Sequence, residues 1–391
     1  MTQAIRVGFV GAGFAARFHL RGLQRVYGVP VQMAGVTARS VASAEKFSQE
    51  TGVPAFASFD DLCEAVDVID LCCPPVTHEE FAVAALQRGR HVIVEKPFTG
   101  YFGDDTAEFR GNVFSKETML QETVASCARM LQAAKASGRK LCYAENWIYA
   151  PAMQKEREIV AKSGAQILWM MGNQSHSGSH SPYYGIWRLS GGGSLVGKGC
   201  HPLSAALYLK RVEGETRDGS PILPATVSAR THEITRLAAY RDEGLLRGGY
   251  QDVEDYGQLH VTFADGTIAD IFASELMLGG VSNWLEVIGN NHRTRCNLNP
   301  VNALETFNPR EDALRDVYVT EKIETKQGWS QPAADEAWQH GYPQEFQDFM
   351  EAIAEDREPL ANAGLARDTM VVLYAAYLSA ERGGAEVKVP K

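Results

Sequence analysis

Between residues 5 and 145 short β-branched runs alternate with amphipathic stretches, and few folds accept that rhythm. It predicts strands at 5–10, 31–37, 66–72, 91–95 and 140–144, with helices near 14–27, 40–51, 60–64, 77–89 and 118–137. Strands apolar on both faces and separated by helices belong to a parallel sheet covered on both sides. After Pro151 the pattern becomes strands parted by turns, at 166–173, 226–234, 255–263, 267–275 and 283–289, with Asp265-Gly266 marking a hairpin. That half predicts an open, mostly antiparallel sheet with a helix at 201–211 on one face and a second subunit on the other. Residues 343–357 and 365–382 read as helices that pack back on the first domain, while 213–224 and 290–335 read as loop. The expected fold is an α/β domain over 1–145, an α+β domain over 146–342 and a helical C-terminal part over 343–391. Residues 99–117 interrupt the first rhythm, and a lid, a subunit contact and a solvated excursion all suit them.

Composition excludes several partners. With 38 basic and 48 acidic residues the net charge is −10, which disfavours nucleic acid and anionic membranes and favours a small substrate. The seven cysteines form no CxxC pair or other zinc spacing, so no metal is expected and the thiols read as reduced, in a cytoplasmic protein. The start of the chain shows no basic-then-apolar leader, and no run of about 18 apolar residues suggests a membrane span.

The segment from Ile5 to Ala16 reads as strand, glycine turn and helix, and Gly11-x-Gly13-x-x-Ala16 within it satisfies the dinucleotide fingerprint. Gly11 turns the chain, Gly13 admits a pyrophosphate, and Phe14 and Ala15 open the helix that would face it. The second strand ends on Val36-Thr37-Ala38-Arg39 without the acid that grips ribose hydroxyls. NAD and NADP both remain open, with Arg39 on a 2′-phosphate, on adenine or in solvent. Pro74 and Pro75 after the third strand shape a floor beneath the cofactor, where His78 is either a contact or a helix-start residue.

Val92-Ile93-Val94 ends on Glu95-Lys96-Pro97, and a lysine at the inner end of a buried strand is costly unless it does chemistry. A second constellation runs from Trp187-Arg188 through Gly191, Gly192, Gly193, Gly197 and Gly199 to His201, which opens a helix beside Pro202. His201 is placed to exchange protons with a substrate, although a structural histidine fits the same position. Lys198 is a candidate acid/base group or anion contact, or a surface lysine. His176, His180 and Tyr184 lie in a stretch dense in donors and aromatic faces, as sugars require. Residues Trp338, His340 and Tyr342 close the pocket, reach a neighbour or pack as a loop.

The glycine turn, Glu95-Lys96-Pro97 and the glycine-rich run ending at His201 resemble the Gfo/Idh/MocA oxidoreductases along essentially the whole chain. The resemblance implies a Rossmann domain joined to an open-sheet domain, assembled as a homodimer or homotetramer, acting with NAD or NADP on a sugar hydroxyl. It implies Lys96 and His201 as catalytic groups, Glu95 as an orienter of the cofactor, and Trp187-Arg188 beside the nicotinamide or pyrophosphate. Many members carry an aspartate four residues before the histidine, and here Gly197 stands at that position. The resemblance leaves two reactions open: ordinary oxidation of a sugar or glycoside, and NAD-dependent, net redox-neutral glycoside hydrolysis, with an anionic glycoside such as a sulfoquinoside among its substrates and Arg188, Lys198 or a histidine on the anion.

Overall fold

The computed structural model describes residues 4–104, 106, 108–179, 181, 183–299 and 304–391. Strands β1 (Ile5–Val10), β2 (Val31–Thr37), β3 (Val68–Leu71), β4 (His91–Glu95) and β5 (Leu141–Ala144) form a parallel sheet in the order β2-β1-β3-β4-β5. Its inner strands are buried along most of their length, which is why they read as continuous apolar runs. Helices α1 (Phe14–Leu23), α2 (Val41–Thr51), α3 (Phe59–Ala65), α4 (His78–Gln87) and α5 (Lys116–Ser137) cover it. Strand order reverses direction between β2-β1 and β3-β4-β5, so the carboxyl ends of β1 and β3 diverge over a crevice suited to a ligand.

The second half begins with α6 (Pro151–Ser163), a helix where the turn-rich reading after Pro151 expected none. Pro151 occupies its first turn, where a missing N–H costs nothing, so the proline marks a start rather than a break. Strands β6 (Ile167–Ser175), β7 (Pro224–His232), β8 (Tyr256–Phe263), β9 (Ile268–Ser274), β10 (Ser282–Gly289) and β11 (Arg293–Asn297) follow; β12 (Thr306–Asn308) and β13 (Gly328–Ser330) pair with each other. With β14 (Val387–Lys388) the large sheet runs β11-β10-β6-β9-β8-β7-β14, antiparallel except between β6 and β9. Three strands therefore lie in the stretch 290–335 that read as loop; they are short and polar, and their pairing rather than their periodicity makes them strands.

Between β6 and β7 come α7 (Trp187–Ser190) and α8 (Cys200–Asp218). The latter extends past the expected end at 211 and absorbs residues 213–218, because Gly219, at φ 69°, terminates it. α8 lies on one face of the large sheet, so close that a Cβ on Gly172 would meet the Pro202 side chain at 2.7 Å. Trp169, Met171, Phe272 and Trp284 alternate onto the opposite face. After α9 (Glu336–Gln339), α10 (Tyr342–Ala354) packs on α1, with Phe346 against Gly22. Helix α11 (Ala363–Glu381) touches α5 of the first half and β7 of the second, and so ties the two sheets together.

The described residues of the interrupting stretch are held rather than loose. Tyr101, Phe109 and Phe114 form a ring cluster with centroids 5.3–5.8 Å apart. Lys116 Nζ donates to the carbonyls of Gly111 (2.7 Å) and Phe114 (2.8 Å), and Asp252 accepts from the backbone N–H groups of Gly111 and Trp187, both at 2.8 Å. These contacts clasp the segment between the two sheets.

Candidate active site

The parallel sheet delivers its strand ends to one crevice: Gly11 after β1, Cys72-Cys73-Pro74 after β3, Glu95-Lys96 at β4 and Glu145 after β5. Gly11 has φ 113°, and a Cβ there would lie 2.5 Å from the Cys72 carbonyl oxygen, so no other residue fits the turn. A Cβ on Gly13 would meet nothing within 4 Å, which leaves open space above the turn. Ser40, Ser58 and Ser115 cap α2, α3 and α5 with their hydroxyls, whereas α1 starts at Gly13 with no side-chain cap. Its first N–H groups are therefore free to meet an anion. Glu95 Oε2 is buried without a hydrogen-bond partner among the described residues, as expected of an acceptor awaiting a ligand hydroxyl or amide. These residues fit a nicotinamide dinucleotide: Gly11, Gly13, Phe14 and Ala15 would hold its pyrophosphate and Glu95 would face its nicotinamide end. Pro74 and Pro75 form the turn after β3, and Arg39 stands exposed just past β2.

Glu95 has a partner that the sequence reading missed. His19 on α1 places Nδ1 2.9 Å from Asp70 Oδ1 and Nε2 3.9 Å from Glu95 Oε1. Burial opposes charge on this imidazole, but Asp70 outweighs it and the His19 pKa is raised. Burial likewise raises the pKa of Glu95, against the pull of Lys96 and His19.

Lys96 Nζ donates to the Gly197 carbonyl at 3.2 Å and lies 5.7 Å from the centroid of the Tyr184 ring. Burial works to discharge it, yet the oxygens of Tyr184 and Glu95 hold the ammonium well above the ordinary lysine range. Gly197 belongs to a π-helical turn, Leu195–Gly199, that feeds α8 and carries Lys198 and His201 inward. His201 Nδ1 lies 2.6 Å from Glu145 Oε1, and its ring stacks on Trp147 with centroids 5.9 Å apart. That contact assigns the Nδ1–H to the bond with Glu145 and leaves Nε2 with a lone pair. Burial lowers the His201 pKa; Glu145 opposes this, while Lys96 and Lys198 add to it, so the imidazole is neutral near pH 7.

The turn is braced from a distance. Glu254, 5 % exposed, accepts from the N–H groups of Gly193 (3.1 Å) and Leu195 (2.9 Å) and from the Tyr377 hydroxyl (2.8 Å). Its pKa is pushed up to about 7 by burial. At Gly197 a Cβ would lie 3.2 Å from Tyr184 Cε1, so the Tyr184 ring occupies the space that a side chain at 197 would take. Lys198 is buried and ion-paired with Glu275, and donates to Ser179 Oγ at 3.2 Å; burial lowers its pKa against the pull of that carboxylate.

Lys96, Tyr184, Lys198 and His201 are thus brought together, with His176 nearby, its Nδ1 3.9 Å from Glu275 Oε2. His180 lies outside the described residues. Trp187 and Arg188, expected at the cofactor, lie on α7, which packs on the turn Pro75–Thr77 after β3, and both are also engaged by the 99–117 stretch. Trp187 is 1 % exposed, donates from Nε1 to the Tyr101 carbonyl (3.0 Å) and packs on Tyr377. The Arg188 guanidinium donates to the carbonyls of Asp104 (2.5 Å) and Thr106 (2.6 Å), two of its five N–H donors. His78 is wholly buried, with its ring nitrogens 3.0 Å from Pro97 O and 3.1 Å from Cys73 O; it is a strut beneath the strand ends rather than a ligand contact. The turn at Gly341 packs on Asn146, whose Nδ2 donates to the His340 carbonyl at 2.7 Å, and Tyr342 lies near Lys96.

Glu145 and Glu275 were not legible as site residues. Each follows a buried strand directly, the signal that marked Glu95, but the side chain each one meets comes from a distant part of the chain.

Comparison with known proteins agrees with this architecture. Residues 5–107 match the oxidoreductase family described as an NAD-binding Rossmann fold, and residues 165–295 match the GFO/IDH/MocA C-terminal domain. UDP-N-acetylglucosamine 3-dehydrogenase of Acidithiobacillus ferrooxidans is 36% identical over 95 residues, covering 24% of this chain and 29% of that protein. Glycosyl hydrolase family 109 protein 2 of Phocaeicola vulgatus is 30% identical over 118 residues, 27% of this chain and 29% of its own. The matched stretch thus spans less than a third of either relative. Over the whole chain the fold superposes on GenD2 from gentamicin A biosynthesis in complex with NAD, with a TM-score of 0.79, 23% identity and coverage of 100% and 98%.

Proposed function

The chain belongs to the Gfo/Idh/MocA oxidoreductases, and from that premise we propose an NAD- or NADP-dependent enzyme that abstracts hydride from a secondary hydroxyl carbon of a sugar or glycoside. The observation that supports this most is the meeting of Lys96 with the turn that carries His201: the ammonium rests on Gly197 O at 3.2 Å and its charge reaches the imidazole. A bound nicotinamide would supply the hydride acceptor. His201 Nε2 takes the proton of the substrate hydroxyl, while Glu145 at Nδ1 stabilises the imidazolium that forms. Lys96, held as an ammonium, donates a hydrogen bond to the same oxygen and offsets its growing negative charge. Tyr184 and Trp147 pack around this pair and limit water.

The test is to titrate the protein with NAD and NADP and then screen sugars and glycosides for reduced cofactor. Formation of NADH or NADPH that depends on Lys96 is the expected result. A protein that binds cofactor yet neither reduces it nor cleaves any glycoside would refute the reading. Assembly as a homodimer or homotetramer is proposed through the sheet face that carries Trp169 and Trp284.

One observation favours a second reaction. Besides Glu145–His201, the substrate side of the site holds a second buried ion pair, Lys198–Glu275. Redox-neutral glycoside cleavage oxidises C3, removes the acidified C2 proton, expels the C1 substituent, adds water and returns the hydride, so a second proton-handling pair has a task there. Aglycone release with catalytic cofactor and no net NADH supports cleavage, and stoichiometric NADH defeats it.

A further inference from the structure

We propose that Lys322 and Arg247, together with Lys198, form a subsite for an anionic oxo group (carboxylate, sulfonate or phosphate) carried by the substrate. This rests on the reading of the cleft as a carbohydrate site and names a substituent for that carbohydrate. The three cations come from separate parts of the chain and close on one loop. Lys198 Nζ donates to Ser179 Oγ at 3.2 Å, Lys322 Nζ to the Gly178 carbonyl at 2.8 Å, and Arg247 to the carbonyls of Ser181 (2.8 Å) and Tyr184 (3.0 Å). That loop ends at Tyr184, beside Lys96, and Lys198 lies three residues before His201. A group bound among these cations would thus belong to the same molecule as the reacting hydroxyl.

Charge balance supports the cluster. Arg25, Arg88, Arg129 and Arg357 each pair with a carboxylate at the surface. Among the described residues neither Lys322 nor Arg247 has a carboxylate oxygen within 4.0 Å, although both are half-buried. Glu275, the acid inside the cluster, is already engaged by Lys198 and Ser179, and Glu321 adjoins Lys322 in the chain. The two unpaired cations rest on neutral carbonyls, weaker partners than an oxyanion. Lys322 also adopts a left-handed backbone, φ 62°, a conformation that non-glycine residues rarely take. Burial and the neighbouring Lys198 bring its pKa down to about 8, a strain that a bound anion relieves.

The experiment is calorimetric titration of inorganic sulfate into the full chain saturated with NAD, which keeps the pyrophosphate cradle occupied, at constant ionic strength set with chloride. One sulfate per chain is expected, with affinity at least tenfold weaker in Lys322→Met and in Arg247→Met and unchanged in Lys46→Met, an exposed lysine on α2. Thermal melting and NAD affinity establish that the variants are folded; if Lys322→Met is not, Lys322→Gln with Arg247→Met decides. Absence of sulfate binding in the parent protein, or binding that survives both substitutions, overturns the subsite. Sulfate binding needs no turnover, so its failure beside NADH formation from neutral sugars sinks this inference alone. Its success beside complete inactivity on carbohydrates sinks the proposed function alone.

Discussion

Lys96 and His201 arrive at the same place by different means. Lys96 ends a short, buried strand whose register is fixed on both sides, by β3 and β5, so its position follows from local chain geometry. His201 leaves a π-helical turn whose shape depends on Glu254 and Tyr377, groups more than 50 residues away in sequence. Rigid strand ends hold a catalytic group at no extra cost, whereas an irregular turn must be tied down by side chains from elsewhere.

The sharpest way to break this contrast is to remove each group and its support in turn. Lys96→Ala is expected to lower turnover by about 10²–10³-fold, the usual range for a donor to a developing oxyanion, while the dissociation constant for NAD, read by fluorescence, changes little. Undiminished turnover would remove Lys96 from the mechanism. Glu145→Gln keeps the shape at His201 but not the charge and is expected to cost about 100-fold in kcat, the low end of the range for general-base catalysis. Because Glu145 raises the His201 pKa, its loss should move the acid limb of the pH profile to lower pH; a limb that stays put would assign that ionisation to another group.

The brace is tested through pH. Glu254 has a native pKa of about 7, above its unfolded value, so its contribution to stability is complete below pH 4.5 and is lost as pH rises through 7. The shift corresponds to about 3 kcal/mol, and Glu254→Gln should flatten the dependence of Tm on pH between about 5 and 8. A slope identical to that of the parent would show that the carboxyl does not ionise in that window. The smallest effect is expected at the clasp: Arg188→Met should cost about 1 kcal/mol of stability through two lost hydrogen bonds, with NAD affinity within twofold. A large loss of NAD affinity would return Arg188 to the cofactor.

The first sheet was legible because a fully buried parallel strand carries its own apolar signature, and Gly11, Gly13, Glu95 and Lys96 are tied to strand ends. His201 was legible through the glycines before it. Glu145 was not, since nothing near residue 145 announces a histidine 56 positions away. For Trp187 and Arg188 the sequence did not announce a second set of partners: the 99–117 stretch takes up the Trp187 indole N–H and two guanidinium nitrogens of Arg188. Helix α6 was missed because a proline that starts a helix and one that ends a strand look alike without their surroundings.

The amino-acid sequence alone determined the two-part architecture, the glycine turn at the dinucleotide crevice and the presence of a lysine and a histidine available for chemistry, because each depends on residues close together in the chain. Tertiary structure alone decided which carboxylate serves His201, that Tyr184 fills the space over Gly197, and that Lys322 joins Lys198 and Arg247 around one loop. Those relations depend on distances in space between residues up to 144 positions apart, and only the packing of the two sheets, tied by α11, sets such distances.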